Sequence, residues 1–294
     1  MDLNLSISLT CFTASYAVAL VLEISRLFFR SGIRGAVMLL FGFAGLVAHS
    51  WYLAALALTS PAGGVPLSSL FALFLIAAWL LAAMYLYLTY RNTRHSIGLF
   101  MLPVVLGLIG VAYAFADDVA PNQADALWLW LVVHIVCLML ATVTVSVGFI
   151  AGVMYLVAAW QLKHKSPESG IRLPSLEWCE KVNARSLTIS TIWLALGMAA
   201  GLLRNLGLWY GDSTGGVTWS DPVVWSTGLL MVWLITATVF RALYRPARQG
   251  RKVAYLTVIS FVLLALVVSI ELMMPAAHAT RPASVPATAP ENPA

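Results

Sequence analysis

The sequence contains one uninterrupted apolar stretch, from Ala126 to Trp160, that restricts the chain to a membrane fold. The stretch has no Asp, Glu, Lys or Arg, and its only side chain that titrates near neutral pH is His134. At about 1.5 Å per residue a helix of this length reaches roughly 50 Å, which exceeds the ~30 Å hydrocarbon core of a bilayer. Part of the helix must therefore project from the membrane, and a histidine inside it requires an explanation.

The composition extends this conclusion to the whole chain. Of its 294 residues, 61% are hydrophobic and 10% are charged, whereas a soluble domain has about 25% charged residues. The net charge of +5 comes from basic residues between the apolar runs, so we expect no nucleic-acid partner. The three cysteines form no CxxC or CxxCH pattern, which argues against a zinc site and against covalent haem attachment.

Eight apolar runs are long enough to cross a membrane as helices. None alternates with period two, so the sequence predicts an all-α integral membrane protein. Residues 1–274 are expected to form a single polytopic membrane domain, and residues 275–294 a disordered external tail rich in Ala, Pro and Thr. The eight runs cover approximately residues 4–25, 35–58, 67–89, 96–116, 126–158, 186–208, 222–243 and 253–274.

Loop charge predicts how these helices are oriented. The first, third, fifth and seventh loops carry most of the Lys and Arg, while the second, fourth and sixth are neutral or acidic. The positive-inside rule places the basic loops in the cytoplasm and both termini outside. We therefore predict a multi-pass protein of the bacterial cytoplasmic (inner) membrane, surrounded by the lipid bilayer, with periplasmic termini.

Two histidines inside the apolar runs map to the same depth below the predicted outer face. His49 lies about 13 Å below the outer end of the second run, and His134 about 12 Å below that of the fifth. Because imidazole suits iron, both are candidate axial ligands of a haem iron. His278, just beyond the eighth run on the same side, is a rival partner for His134. The alternative is a neutral histidine bonded to a neighbouring helix, although ionisable residues inside membranes are often functional.

Aromatic residues concentrate near the same face. An interfacial belt explains many of them, yet a belt should occur on both faces and few tryptophans map to the inner one. The sixth loop and its flanks combine Trp209, Trp219, Asp221 and Trp225 with glycines, which predicts a flat apolar platform for a planar macrocycle. Arg204, at the end of the sixth run, either pairs with a propionate or extends to the interface.

Small residues and a loop serine suggest how helices pack and begin. The pairs Gly148/Gly152 and Gly197/Gly201 have GxxxG spacing, which either allows close helix packing or reflects the general frequency of glycine in membrane helices. Ser175, after Pro174, is expected to cap a short amphipathic helix in the fifth loop.

Taken in order, these features resemble the cytochrome c assembly family, with its CcsA/CcmC-like and HemX-like branches. The resemblance covers roughly residues 125–280, the predicted assembly-like core. It rests on a WLxxH segment, LK and LPSLE stretches, a short form of the "WWD" motif, and the end of the last span with its histidine. In this chain these are Trp130–His134, Leu162–Lys163, Leu173–Glu177, Trp219–Pro222, and Ile270–Met274 with His278.

The resemblance implies a haem-handling protein of c-type cytochrome biogenesis. In this family the external loop presents haem between two external histidines, which correspond to His134 and His278, and His49 corresponds to a helix histidine associated with haem passage. The implied cofactor is non-covalent haem b, and the implied partners are a CcsB-like membrane protein and an apocytochrome c. No catalytic residue is predicted, and any enzymatic role would belong to a haem lyase or cytochrome c synthetase system.

The chain also departs from the family pattern. Its WWD segment lacks the repeated Trp-Gly start, and Phe240-Arg241 stands where the family often has a histidine. These departures favour a HemX-like or divergent member. The alternatives are a HemX-like regulator of haem synthesis, a haem or small-molecule exporter, and an electron-transfer protein with b-type haem between His49 and His134.

Overall fold

The computed structural model describes eight helices and, within the described residues, no strand. The described residues are 3–25, 33–59, 69–91, 95–115, 127–164, 171–210, 219–243 and 250–273. The predicted all-α class is confirmed. The helices are α1 (Leu3–Ser25), α2 (Ile33–Thr59), α3 (Leu70–Arg91), α4 (Gly98–Ala114), α5 (Trp128–Lys163), α6 (Leu176–Tyr210), α7 (Pro222–Leu243) and α8 (Gly250–Met273).

Six of these helices, α2, α3 and α5 to α8, are long and apolar enough to cross a membrane. The apolar stretches found for α1 and α4, Leu9–Ser25 and Gly98–Ala114, are shorter. The chain is therefore a multi-pass integral membrane protein, while the count of eight spans and the orientation stay predictions. The predicted tail, 275–294, lies outside the described residues.

Helices α5 and α6 pack antiparallel. Between α5 and α6, His134 lies against Gly201, whereas Gly152, further along α5, faces Asn183 near the start of α6. The N–H of Ser96 donates to the carbonyl of Arg172 over 2.8 Å, which brings the α3–α4 and α5–α6 connections to one end of the bundle.

The two ends of the bundle differ in composition. We call the end with the α3–α4 and α5–α6 connections the basic end, because Arg91, Lys163 and Arg241 lie there. We call the other end the tryptophan end, because α5 and α7 begin there with Trp128, Trp130 and Trp225 in their first turns.

The interior divides into two apolar clusters. One joins α1 to α4 with one side of α5 and the start of α6, around Tyr16, Leu81 and Met101. The other joins α5 to α8, around Leu187 and Leu234. Because α5 and α6 each contribute to both clusters, these two helices hold the two halves together.

Both GxxxG pairs lie at helix interfaces. A Cβ on Gly148 would stand 3.1 Å from Ser186 Cβ, and one on Gly152 only 2.7 Å from Thr257 Oγ1. Gly197 and Gly201 face α5 at similarly short distances. Of the two explanations of the GxxxG spacing, the structure supports close helix packing.

Ser175 caps α6 itself. Its Oγ accepts the backbone N–H of Trp178 over 3.3 Å, as an N-cap serine does. The helix that follows continues without a break to Tyr210. The expectation of a separate short helix in the fifth loop was therefore wrong, because the capped segment continues directly into the membrane span.

Candidate functional site

His134 projects from the second turn of α5 toward α6. Its Nδ1 lies 2.7 Å from the carbonyl oxygen of Gly197. Because a carbonyl can only accept, Nδ1 carries the proton and donates this hydrogen bond. In the neutral ring Nε2 then has a free lone pair, and no described residue hydrogen-bonds to it. The imidazole is thus oriented by α6 and retains one nitrogen able to bind a metal.

Gly201 provides the space that this imidazole occupies. A Cβ at this position would stand 2.6 Å from His134 Nδ1 and 2.8 Å from Cε1. Any larger residue would push the ring away from the backbone of α6. The sequence left Gly197 and Gly201 open between helix packing and the general frequency of glycine, and it assigned them no role beside His134. The sequence carried one sign that these glycines could contact His134. They lie one helical turn apart in the helix that follows it.

Arg204 and Trp128 lie near the same end. Arg204 follows Gly201 by about one turn of α6, and it is near enough to His134 to act on it electrostatically. The indole N–H of Trp128, in the first turn of α5, is buried and has no hydrogen-bond partner among the described residues. Trp128 was not among the predicted site residues, because the sequence does not show which residues surround its indole N–H.

The segment that resembles the WWD motif contains both exposed indoles and a helix start. The side chains of Trp219 and Trp225 are 51% and 71% exposed. Asp221 is buried, and its Oδ1 accepts the N–H of Val223 over 2.8 Å. With Pro222 as the first helical residue, this is the arrangement that begins an α-helix. Asp221 therefore has a structural role at the start of α7. The side chain of Trp209 lies outside the described part of the chain.

His49 occupies a different environment, between α1 and α2. Its ring stacks on Phe12 with 4.2 Å between centroids and 2° between planes, and Nδ1 lies 3.5 Å from the hydroxyl of Tyr16. The side chain is fully buried, and Nε2 has no partner within the described residues.

The structure thus describes the two membrane histidines against different helices, His49 against α1 and His134 against α6. Their predicted pairing on one iron stays a prediction. His278, the rival partner, lies outside the described residues. Where side chains are described, no group of three or more His, Cys, Asp or Glu is placed to hold a metal ion.

Comparison with known proteins identifies the family. Residues 37–274 match the family described as Cytochrome C assembly protein. The chain belongs to this family. It is 25% identical to the cytochrome c biogenesis protein CcsA of Guillardia theta over 223 residues. This aligned region covers 69% of this chain and 71% of the relative. Against CcsA of Thermosynechococcus vestitus it is 26% identical over 253 residues, 74% of this chain and 76% of the relative. No solved structure matches the chain.

The family match confirms the resemblance found in the sequence and extends it. It begins at residue 37, well before the predicted core, and so includes His49 as well as His134. Membership assigns the chain a role in cytochrome c biogenesis. The HemX-like branch stays a prediction, since the relatives named above are CcsA proteins.

Proposed function

We propose that this chain binds haem non-covalently at the tryptophan end and presents it for c-type cytochrome assembly. The observation that carries the proposal is the hydrogen bond from His134 Nδ1 to the Gly197 carbonyl. A backbone carbonyl on one ring nitrogen is the usual way in which a protein orients a histidine that binds a metal through the other nitrogen. Haem iron commonly takes such an axial imidazole.

The residues around His134 suit the other parts of a haem. Trp219 and Trp225 are exposed and offer flat apolar surface to a porphyrin. Arg204 supplies a positive charge for a propionate, and Trp128 supplies a buried N–H donor. Haem is the cargo here and supplies its iron and vinyl groups. The chain has no CxxCH of its own, so the thiols that become attached to haem come from an apocytochrome c.

In this proposal the tryptophan end faces the periplasm of a bacterial cytoplasmic membrane. The alternation of basic and neutral loops supports that orientation. A CcsB-like membrane partner and the apocytochrome then meet the chain at this end. A reporter tag inserted in the fifth loop, between α5 and α6, should read as cytoplasmic, and a periplasmic signal would reverse the assignment.

The experiment that tests haem binding is absorption spectroscopy of the protein purified from haem-replete cells. We expect a Soret band that is lost in His134→Ala and retained in His164→Ala. His164 is a suitable control because it is exposed at the basic end, with its Nδ1 bonded to the Trp160 carbonyl over 3.0 Å. If the wild-type protein carries no haem and gains none on titration, the proposal is wrong.

The same spectra distinguish the two candidate partners of His134. Loss of the band in His278→Ala but not in His49→Ala supports the external pair and haem presentation. Loss of the band in His49→Ala but not in His278→Ala supports a buried pair of His49 and His134. That result favours the electron-transfer alternative.

A further inference from the structure

A fully buried asparagine lies where α5, α6 and α8 meet in the basic half of the bundle. Asn183, in the second turn of α6, faces Gly152 of α5 and Thr257 of α8 and is 0% exposed. Neither its amide oxygen nor its amide nitrogen has a hydrogen-bond partner among the described residues. Burial of an unbonded amide is strongly unfavourable, so such groups in folded proteins are normally satisfied by water when no side chain is available.

Three polar atoms converge beside this asparagine. Thr257 Oγ1, the Ala254 carbonyl oxygen and Asn183 Nδ2 lie 2.7, 3.2 and 3.2 Å from a single point, the position that a Cβ on Gly152 would occupy. Asn183 Nδ2 and Thr257 Oγ1 therefore lie within about 6 Å of each other, and they do not bond to each other. The Thr257 hydroxyl donates to carbonyls of its own helix, the nearer being Ala254 at 3.0 Å, and its oxygen still has a lone pair with which to accept.

We propose that Asn183 binds one buried water molecule that bridges α6 to α8. Water fits because the surrounding atoms include both a donor, Asn183 Nδ2, and acceptors, Asn183 Oδ1 and Thr257 Oγ1. These groups are all uncharged, so they do not compensate an ion for the loss of its hydration. The water joins α8 to the helix that carries Gly197, and the proposal is independent of whether haem binds.

Hydroxyl-radical footprinting tests this proposal, because radiolysis of a bound water generates the radical beside buried side chains. Cys179 precedes Asn183 by one turn of α6 and is 0% exposed. Cys137 of α5 is the matched control. It is 6% exposed and also packs against α6, at Gly197. We expect mass spectrometry of the full chain in detergent to show Cys179 oxidised several-fold faster than Cys137. Equal rates for the two thiols would overturn the proposal.

Substitution of the asparagine links the signal to the site. In Asn183→Leu, which removes both amide groups, the oxidation rate of Cys179 should fall to that of Cys137. Thr257→Val removes one bridging group at nearly constant volume, and it should lower the rate even if Asn183→Leu does not fold. An unchanged Cys179 rate in either folded variant would show that the radical comes from elsewhere. Thermal stability that depends on Na⁺, with no excess oxidation of Cys179, would indicate a cation and also refute the proposal.

Discussion

Replacing Gly201 by alanine is the most direct structural perturbation of His134. The new Cβ would stand 2.6 Å from Nδ1, whereas ordinary contacts begin near 3.4 Å. The ring must then retreat by about 0.8 Å, or the two helices must separate, since a packed interface has little spare room. Either movement lengthens the 2.7 Å hydrogen bond between Nδ1 and the Gly197 carbonyl.

The expected magnitude follows from these two effects. Overpacking by a methyl group costs about 1–3 kcal/mol, and a lost neutral hydrogen bond costs about 0.5–1.5 kcal/mol. Together these costs amount to about 1.5–4.5 kcal/mol. Because about 1.4 kcal/mol corresponds to a tenfold change in affinity, a loss of this size at the iron ligand weakens haem binding from roughly tenfold to a thousandfold. The His134 side chain itself remains present, so binding is weakened rather than abolished.

The assay is haem titration of the purified apoprotein, followed at the Soret band. Gly228→Ala in α7 is the control, because a Cβ there has no atom within 4 Å. We expect Gly228→Ala to bind as the wild type does and Gly201→Ala to bind more weakly with an altered spectrum. If Gly201→Ala matches the wild type in both affinity and spectrum, His134 does not ligate the iron from the position described here.

Three further predictions concern stability and titration. Gly152→Ala should lower the thermal midpoint, because its Cβ meets the backbone carbonyl of Ala254 at 3.2 Å, whereas Gly110→Ala, with nothing within 4 Å, should not. Asp221→Ala should destabilise α7 by about 1 kcal/mol in reversible unfolding through loss of its N-cap, and Asp221→Asn should retain most of that stability. The hydrogen bond from Lys181 lowers the pKa of Glu177. The pair therefore stabilises the folded state at pH values above the ordinary carboxyl pKa. This stabilisation is lost as the pH falls through the lowered pKa of Glu177. NMR of labelled Glu should show the pKa of Glu177 rising in Lys181→Ala.

Hydropathy located the apolar segments well but not the ends of the helices. The sixth run was predicted at 186–208, whereas α6 begins ten residues earlier, at Leu176. The additional turns contain Glu177, Lys181 and Arg185, which lower the hydropathy without disfavouring the helix. Hydropathy reports contact with lipid, while the start of a helix depends on its cap, here Ser175.

The sequence selected the candidate site residues by type and position, but it did not predict their contacts. His134 was selected because it is the only side chain titrating near neutral pH in the apolar stretch Ala126–Trp160, and charge alternation placed it near the predicted outer face. The acceptor for its Nδ1, the Gly197 carbonyl, is 63 residues away, and its identity depends on how α6 is rotated about its axis. In the membrane-spanning part of α6 apolar residues lie on all sides of the helix, so the sequence pattern does not determine that rotation.

The surroundings of the two membrane histidines predict an order of ligation. His134 is half-buried at the tryptophan end, whereas His49 is fully buried between Phe12 and Tyr16. A porphyrin reaches His49 only if α1 and α2 separate, and such helix movements are slower than access to an exposed edge. We therefore expect two phases when apoprotein and haem are mixed in a stopped-flow spectrometer.

The variants assign each phase to a histidine. His49→Ala should remove only the slow phase, whereas His134→Ala, which removes the first ligand, should abolish both phases. Phe12→Ala takes away the ring stacked on His49 at 4.2 Å and should accelerate the slow phase. If His49→Ala instead slows the fast phase, haem enters through the α1–α2 side, and His134 is the second ligand rather than the first.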